Sequence, residues 1–218
     1  MNGFATVSHR ANGFLLQDNF SSLSPSAGGP PALRVVCLAG FMGSGKSTVG
    51  PLLARQLGWR FEDLDARIEE HAGLSIQAIF ERLGEPAFRQ VENEQMDAAI
   101  GRALETRDPV VIALGGGTYA QPGRPERLRA AGVLVIWLDS PVELLLARCA
   151  TMSNRPLFRD EASFRALLAA RLPFYAQADH RVDADTEPPR VVERVLALPP
   201  FERFTGIAPE LSSRRVRS

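Results

Sequence analysis

The sequence predicts an α/β fold in which a parallel sheet is covered by helices on both faces. Two observations predict it. Continuous apolar runs typical of strands buried on both faces recur along the chain, and segments with helical periodicity separate them. Successive parallel strands are then joined by right-handed crossovers. The chain has 218 residues, of which 45% are hydrophobic, which is enough for one core of this kind.

The elements follow in chain order. The apolar run RVVCLAG, residues 34–40, predicts the first strand, and a helix is predicted at 46–57. A second strand leads into FEDLDARIEE, and the runs VVIALGGG and VLVIWLD predict two more. The later helices are predicted at 65–72, 86–106, 124–131, 141–150 and 161–178. The helix at 141–150 has a start signal: Ser140 as N-cap, Pro141 at the first helical position and Glu143 completing a capping box.

The two ends of the chain differ in composition from the region between them. Residues 1–32 are rich in Ser, Asn, Gly and Pro, which predicts a disordered extension. Their shortage of acidic residues leaves a transit peptide as an alternative. Residues 199–218 are polar, interrupted by proline and basic at the end, which predicts a tail. A single domain over residues 33–198 is therefore expected.

Composition also excludes several classes of partner. Acidic and basic residues balance at 25 each, so no net charge attracts nucleic acid or an anionic membrane surface. No apolar run reaches the roughly 20 residues that span a bilayer. The two cysteines, Cys37 and Cys149, match no metal-binding spacing and are expected to be buried in a reducing cytosol. We therefore expect a cytoplasmic protein that binds small molecules, with no nucleic acid and no membrane as partners.

The segment GFMGSGKST, residues 40–48, matches the phosphate-binding pattern GxxxxGK[ST]. It follows an apolar strand and precedes a helix, so backbone N–H groups and the helix N-terminus can surround phosphate oxygens. Lys46, the only lysine in the chain, would place an ammonium group on the outer phosphates, and Ser47 would ligate Mg²⁺. A glycine-rich turn that only caps a helix is the alternative, but strand, spacing, Lys and Ser all fit the phosphate site.

Charged residues in the next segments are candidates for the acceptor side. If FEDLDARIEE is extended, Asp63 and Asp65 point to the same side, where one could hold Mg²⁺ through water and the other a substrate hydroxyl. The alternative is that Asp65 merely caps the following helix. In GEPAFRQVENE, Arg89 lies four residues after Glu85 and three before Glu92, which also fits a surface ion-pair face.

Three features lie further along the chain. The glycine-rich GGGT, residues 115–118, follows a strand at the sheet edge where such folds bind ligands, with a flexible turn as the alternative. Arg155 precedes Pro156 between two helices and is either a solvated side chain or an arginine that closes over the phosphates. Arg171 needs an anion, either a buried acid or a bound carboxylate or phosphate, because it shares one helix face with apolar residues. That face consists of Phe164, Leu167, Leu168 and Tyr175.

Together these segments resemble the shikimate kinase family over about residues 34–198. The resemblance is carried, in the family's order, by GFMGSGKST, FEDLD, IF…GEPAFRQVE, GGGT, RPLF and RLPFYAQAD. It implies a P-loop kinase with sheet order 2-3-1-4-5, a small helical substrate-binding insertion at about 64–95 and a lid at about 149–162. It also implies transfer of the ATP γ-phosphate to the 3-hydroxyl of shikimate, toward chorismate and the aromatic amino acids. We expect the chain to act as a monomer.

The resemblance also implies roles for individual residues. Asp63 would support Mg²⁺ through water, and Asp65 would hold shikimate hydroxyls, where it could also act as base. Arg155 would be the lid arginine on the transferring phosphate, and Arg148 would pack against adenine. The last adenine contact is expected near residues 182–189, which match the family too poorly to name a residue. The phosphates of ATP would be bound by Gly43, Ser44, Gly45, Lys46, Ser47 and Thr48, and shikimate by Arg89 and Arg171 on its carboxylate and by the backbone of Gly116 or Gly117.

Two other functions fit part of the pattern. Gluconate kinase shares the phosphate-binding loop and a small hydroxy acid as acceptor, but we would not expect it to carry the DLD and GEPAFR segments. A P-loop ATPase or nucleotide switch would need a metal-binding Asp after a strand, and Asp139 does end VLVIWLD. However, Asp139 runs directly into the predicted capping box, and the chain has no room for a second module.

Overall fold

Five parallel strands form one sheet in the order β2-β3-β1-β4-β5. The computed structural model describes residues 33–150 and 160–205, and all statements below concern these residues. The sheet order confirms the expectation drawn from the resemblance. The strands are β1 (Val35–Ala39), β2 (Arg60–Asp63), β3 (Val110–Ala113), β4 (Leu134–Asp139) and β5 (His180–Asp183).

Burial of the strands follows their place in the sheet. Every residue of β1 and β3 is buried, because each has a neighbouring strand on both sides and helices on both faces. The edge strand β5 reads HRVD, with only Val182 buried. Its polar sequence gives no apolar run, so the sequence pattern did not indicate this strand.

Helices cover both faces of the sheet. Those predicted from periodicity are present within a few residues of their predicted bounds, whereas the helical segments at 76–83, 188–196 and 202–205 were not predicted. The helices are α1 (Lys46–Leu57), α2 (Leu64–Ala72), α3 (Ile76–Thr106), α4 (Arg124–Ala130), α5 (Val142–Ala150), α6 (Glu161–Tyr175), α7 (Pro188–Leu196) and α8 (Glu202–Thr205), with a 3₁₀ turn at Pro199–Phe201. None of these described helices combines the length and apolar character that crossing a membrane requires.

Helix α3 is two helical segments joined at a kink. The backbone at Gly84 has φ 79° and ψ 171°, a conformation that glycine adopts most readily, and Pro86 follows two residues later. The predicted helix at 86–106 corresponds to the second segment. The two segments are held together partly by Phe80 and Phe88, whose ring centroids are 4.6 Å apart across the kink.

Alternate residues of β1 contribute to two separate cores. Val35 and Cys37 face a core completed by helices α2 to α6, whereas Val36 and Leu38 face a core completed by α1 and α7. This alternation is the ordinary consequence of successive side chains pointing to opposite faces of a strand. Both cysteines are free thiols in the described core, as expected from the sequence.

The packed domain continues beyond the boundary predicted at residue 198. Phe201 is fully buried, and the ring of Phe204 meets Trp59 edge-on at 5.5 Å. Residues 199–205 therefore belong to the fold and not to a tail, because two aromatic side chains can anchor a short proline-rich segment that has no helical periodicity. The remaining tail residues, the N-terminal extension 1–32, and lid residues 151–159 with Arg155 lie outside the described residues.

Both polar side chains of the predicted capping box have other partners. The Ser140 hydroxyl donates to the Ala184 carbonyl at 3.0 Å, and the Glu143 carboxylate pairs with Arg165 at 2.8 Å. Helix α5 begins at Val142. The two side chains thus connect the start of α5 to the segment after β5 and to α6.

Candidate active site

The phosphate-binding motif forms a tight loop between β1 and α1. Gly40, Gly43 and Gly45 all have positive φ values, and Gly45 directly precedes the first helical residue, Lys46. At Gly40 a β-carbon would lie 2.6 Å from the Leu138 carbonyl oxygen, so a side chain cannot be accommodated. The strand, loop and helix therefore have the arrangement that the motif requires for backbone N–H groups to surround an anion.

The Lys46 side chain folds back over this loop. It is only 9% exposed, and its ammonium group donates to the Gly40 and Phe41 carbonyls at 2.8 and 2.9 Å. A third contact, to the Ser44 hydroxyl, is 3.4 Å long. These carbonyls hold a compact cation at the helix N-terminus, where a phosphate group would bind.

Ser47 and Asp63 meet at the same end of the sheet. The Ser47 hydroxyl donates to Asp63 Oδ2 at 2.6 Å, while Asp63 Oδ1 accepts from the backbone N–H groups of Asp65 and Ala66. Asp63 is the N-cap of α2, and Asp65 lies in the first turn of that helix. The extended geometry predicted for Asp63 to Asp65 is therefore wrong, and so is the alternative in which Asp65 is the cap. The physical reason is that the Asp63 carboxylate satisfies N–H groups that the helix start leaves without partners.

The oxygen atoms of Ser47 and Asp63 fit a hard divalent cation. Magnesium is held in such sites by one or two protein oxygens together with phosphate oxygens and water, rather than by a cage of protein ligands. In the described part of the chain, no cluster of three or more His, Cys, Asp or Glu side chains could hold a metal by itself. A metal at Ser47 and Asp63 would therefore be completed by oxygens of a bound ligand.

A pocket of about 450 Å³ opens beside the phosphate loop. Arg148 forms part of its wall and donates to the carbonyls of Gly43 at 3.1 Å and Ala184 at 3.4 Å, linking the loop to the segment after β5. The other wall comes from residues that the sequence analysis left unnamed. They are Ala184, Thr186, Glu187, Pro188 and Val191. No single residue was named because neither β5 nor α7 was predicted, but four of the five fall within the range 182–189 where the last adenine contact is expected.

Arg89 has one exposed and one buried acidic partner. Its Nη2 atom contacts Glu85 at 3.1 Å, and its Nη1 atom contacts the two carboxylate oxygens of Glu92 at 3.1 and 2.9 Å. The side chain of Glu92 is 1% exposed and also accepts from the buried Thr118 hydroxyl at 2.7 Å. The surface ion-pair interpretation therefore describes only the Glu85 contact. Glu92 connects Arg89 to the end of the glycine-rich segment.

Arg171 lies among apolar side chains, as predicted. Its guanidinium carbon is 5.3 Å from the centre of the Phe41 ring, and burial lowers the pKa of Arg171 below its usual range. The buried side chain of Tyr175 lies one turn further along α6 and interacts with the guanidinium group. A guanidinium group in this setting can bind an anion with little competition from water.

The guanidinium groups of Arg89 and Arg171 converge on Gly117. A β-carbon at Gly117 would lie 3.0 Å from Arg171 Nη2 and 3.1 Å from Arg89 Nη2. The two arginines come from different helices, α3 and α6, and are 82 positions apart in sequence. Two cations beside a residue without a side chain form a site suited to a planar anion such as a carboxylate.

The glycine-rich segment also adjoins Asp65 and the phosphate loop. A β-carbon at Gly115 would lie 2.6 Å from Asp65 Oδ1, and one at Gly116 would lie 3.4 Å from the backbone nitrogen of Met42. The structure thus brings together the phosphate loop, Asp65, the glycine-rich segment and the two arginines. Of the residues that the sequence predicted for this site, only Arg155 lies outside the described residues.

Comparisons with known proteins agree with this arrangement. The shikimate kinase family model matches residues 42–198. A shikimate kinase from Geobacter sulfurreducens is 47% identical over 69% of this chain and 81% of that protein, and one from Pseudomonas entomophila is 44% identical over 77% and 99%. The structure of a shikimate kinase from Acinetobacter baumannii in complex with shikimate matches with a TM-score of 0.68 at 35% identity, covering 75% of this chain and 91% of that one. A gluconokinase from Sinorhizobium meliloti, at 20% identity and a TM-score of 0.52, shares the fold alone.

Proposed function

The chain belongs to the shikimate kinase family, and we propose which of its residues carry out each part of the reaction. It transfers the γ-phosphate of ATP to shikimate, as the resemblance implied. The gluconate kinase alternative is not favoured, because the gluconokinase structure resembles this chain in fold alone. The single observation that carries the assignment of the acceptor site is the convergence of Arg89 and Arg171 on Gly117.

We assign the ATP phosphates to the loop of residues 43–48 and the nucleoside to the adjoining pocket beside Arg148. The positive φ values of Gly43 and Gly45 support this assignment, since they let the loop curve around an anion. Lys46 would exchange its contacts with loop carbonyls for phosphate oxygens and would stabilise the charge that builds up during transfer. Residues 184–191 would form the far wall for adenine.

Magnesium is the proposed divalent cation, with the Ser47 hydroxyl as a ligand and Asp63 supporting it through water. When bound, it would neutralise part of the phosphate charge. The hydrogen bond between Ser47 and Asp63 supports the assignment, because it places two oxygen groups at the helix N-terminus beside the phosphate loop. Asp63 would keep its capping contacts to α2, which fix its orientation.

On the acceptor side, Arg89 and Arg171 would bind the shikimate carboxylate. Each guanidinium group can make charge-assisted hydrogen bonds to it, and the missing side chain of Gly117 leaves room for the carboxylate. Asp65 would accept a hydrogen bond from the reacting hydroxyl and would take its proton as the hydroxyl oxygen bonds to the γ-phosphorus and the bond from that phosphorus to ADP breaks. The backbone of Gly116 would lie close to the shikimate ring, between the phosphate loop and the two arginines.

Three further assignments complete the proposal. Arg155 would act as the lid arginine on the transferring phosphate, supported by its place in the RPLF segment. We also propose that the chain acts as a monomer, and light scattering on the purified protein would test this. We place the enzyme in the cytoplasm, where ATP for a biosynthetic step is available.

Kinetics of Arg89→Lys and Arg171→Lys test the acceptor site. Lysine keeps the charge but loses the planar fork, so both variants should raise the KM for shikimate and leave the KM for ATP unaltered. Arg171→Lys should lose more thermal stability, since a partly buried ammonium group among apolar side chains is poorly solvated. Arg67→Lys is a matched control: the Arg67 side chain is 19% exposed against 21% for Arg89, and it pairs with the largely buried Glu62.

A shikimate analogue without the carboxylate supplies the cross-check. It should bind poorly to the wild type and should lose little further affinity in either lysine variant, because the partner of the two arginines is already gone. If both variants weaken the analogue as much as they weaken shikimate, the carboxylate assignment fails. Reactions with gluconate, or with no acceptor, serve as assay controls and should show little ATP turnover.

A further inference from the structure

Tyr175 links the two sides of the acceptor site through one hydroxyl group. It is the last residue of α6 and lies one turn after Arg171 on the same helix face. Its hydroxyl donates a hydrogen bond to the Gly116 carbonyl oxygen. The same side chain interacts with the Arg171 guanidinium group, which also lies against this segment: a β-carbon at Gly116 would be 3.5 Å from Arg171 Nη1. Tyr175 therefore contacts both the backbone of the glycine-rich segment and one of the two carboxylate-binding arginines.

A phenol hydroxyl group can contact the Gly116 carbonyl and the Arg171 guanidinium group in only one arrangement. A tyrosine hydroxyl has one proton to donate and lone pairs to accept with. Because its proton is directed to the Gly116 carbonyl, its lone pairs are available to the N–H groups of Arg171. One hydroxyl thus holds the peptide of Gly116, against which the Arg171 guanidinium group lies.

The position of this hydroxyl is itself well defined. Tyr175 is 1% exposed, and its ring stacks on Trp137 with centroids 5.9 Å apart. A buried, stacked ring has little rotational freedom, so its hydroxyl acts as a fixed point. By contrast, the Phe41 ring under Arg171 attracts the cation but does not dictate which way its N–H groups point.

We propose that Tyr175 is a positioning residue for the acceptor, acting through Arg171 and the Gly116 peptide. Its hydroxyl orients the Arg171 guanidinium toward the space beside Gly117, where the arginine meets the substrate carboxylate. This inference rests on the proposed role of Arg171. A tyrosine that only satisfied its own buried hydroxyl would affect stability and leave substrate binding alone.

The variant Tyr175→Phe removes the hydroxyl and keeps the ring. We expect the KM for shikimate to rise about tenfold, the scale of one hydrogen bond to a charged group. The KM for ATP should be unchanged and kcat should stay within about twofold, because the phosphate loop is untouched. Tyr119→Phe is the matched control: Tyr119 is the other tyrosine of the chain and is also 1% exposed. It should change the melting temperature without changing the KM for shikimate.

A double-mutant comparison shows whether the effect passes through Arg171. If it does, the KM of Tyr175→Phe/Arg171→Lys should be close to that of Arg171→Lys alone. The inference would be overturned if the two substitutions raised the KM for shikimate independently, so that their fold-changes multiplied in the double variant. It would also be overturned if Tyr175→Phe had a normal KM while Arg171→Lys raised it. Either result leaves the proposed function standing. A normal KM in Arg171→Lys itself would instead remove the proposed role of Arg171, and this inference with it.

Discussion

A methyl group placed on Gly117 should separate the two arginine side chains from a bound carboxylate. In Gly117→Ala the new β-carbon would lie 3.0 Å from Arg171 Nη2 and 3.1 Å from Arg89 Nη2. Both distances are shorter than ordinary van der Waals contact, so each guanidinium group must move by a few tenths of an ångström or more. The φ value of Gly117 is outside the left-handed region, so alanine brings no backbone strain.

The size of the effect follows from the hydrogen bonds at risk. A hydrogen bond to a charged group contributes about 1.5–3 kcal/mol, and the methyl group disturbs two arginines that would each make such bonds. A total loss of about 3 kcal/mol corresponds to roughly a 10²-fold weaker interaction with shikimate. Little stability should be lost, since the crowded atoms are the ends of flexible side chains.

A coupled kinase assay and thermal unfolding measure the two quantities separately. The KM for shikimate should rise by roughly two orders of magnitude while the KM for ATP and the melting temperature stay near wild type. Gly101→Ala is the matched control. Gly101 lies inside α3 with no atom within 4 Å of an added β-carbon. It should leave both KM values unchanged and raise stability by about 0.5–1 kcal/mol.

An unchanged KM for shikimate in Gly117→Ala would refute the reasoning. It would mean that the arginines do not bind the acceptor beside this glycine, whatever their distance from it. A raised KM for ATP would contradict it in a different way, because it would show that the glycine-rich segment acts on the phosphate loop.

The other predictions concern the phosphate site, the lid and the ends of the chain. Lys46→Ala should nearly abolish turnover with the melting temperature little changed, and near-normal kcat would rule out its assigned role. Arg155→Ala should lower kcat by about 10³-fold or more, with a smaller effect on shikimate binding, as for other arginine fingers; a raised shikimate KM with unchanged kcat would move Arg155 to the acceptor site. Phe201→Ala should cost about 3 kcal/mol or more of stability, because the side chain is fully buried, and should leave both KM values unaltered in the assay. Deleting residues 1–32 should leave solubility and kinase activity nearly unchanged, and loss of either would show that the extension packs on the domain.

Local sequence was sufficient for the phosphate half of the site. The strand, the glycine-rich loop and the helix that follow one another over residues 34–57 are adjacent in the chain, so spacing alone places Lys46 and Ser47. The buried strands β1, β3 and β4 were also readable, because strands covered on both faces need continuous apolar runs. Resemblance to a family added the sheet order and the acceptor residues.

Local patterns gave a wrong prediction where a side chain caps the backbone of the next helix. Asp63 and Asp65 looked like two residues of one extended segment, but Asp63 caps α2 and Asp65 lies in its first turn. The edge strand β5 gave no signal because an edge position needs few apolar residues. Helix α7 did carry a signal that was not used: prolines at its start, followed by Val191, Val192 and Val195 on its buried face.

The sequence by itself determined the elements whose signals are contained in a dozen adjacent residues: the phosphate loop, the central strands and the apolar face of α6. Tertiary structure alone decided that Arg89 shares the buried Glu92 with Thr118, that Arg89 and Arg171 meet at Gly117, and that Tyr175 is hydrogen-bonded to Gly116 beside Arg171. The physical reason is that hydrogen bonds and ion pairs depend on distance in space. Residues separated by tens of positions in the chain leave no joint periodicity that a single sequence could reveal.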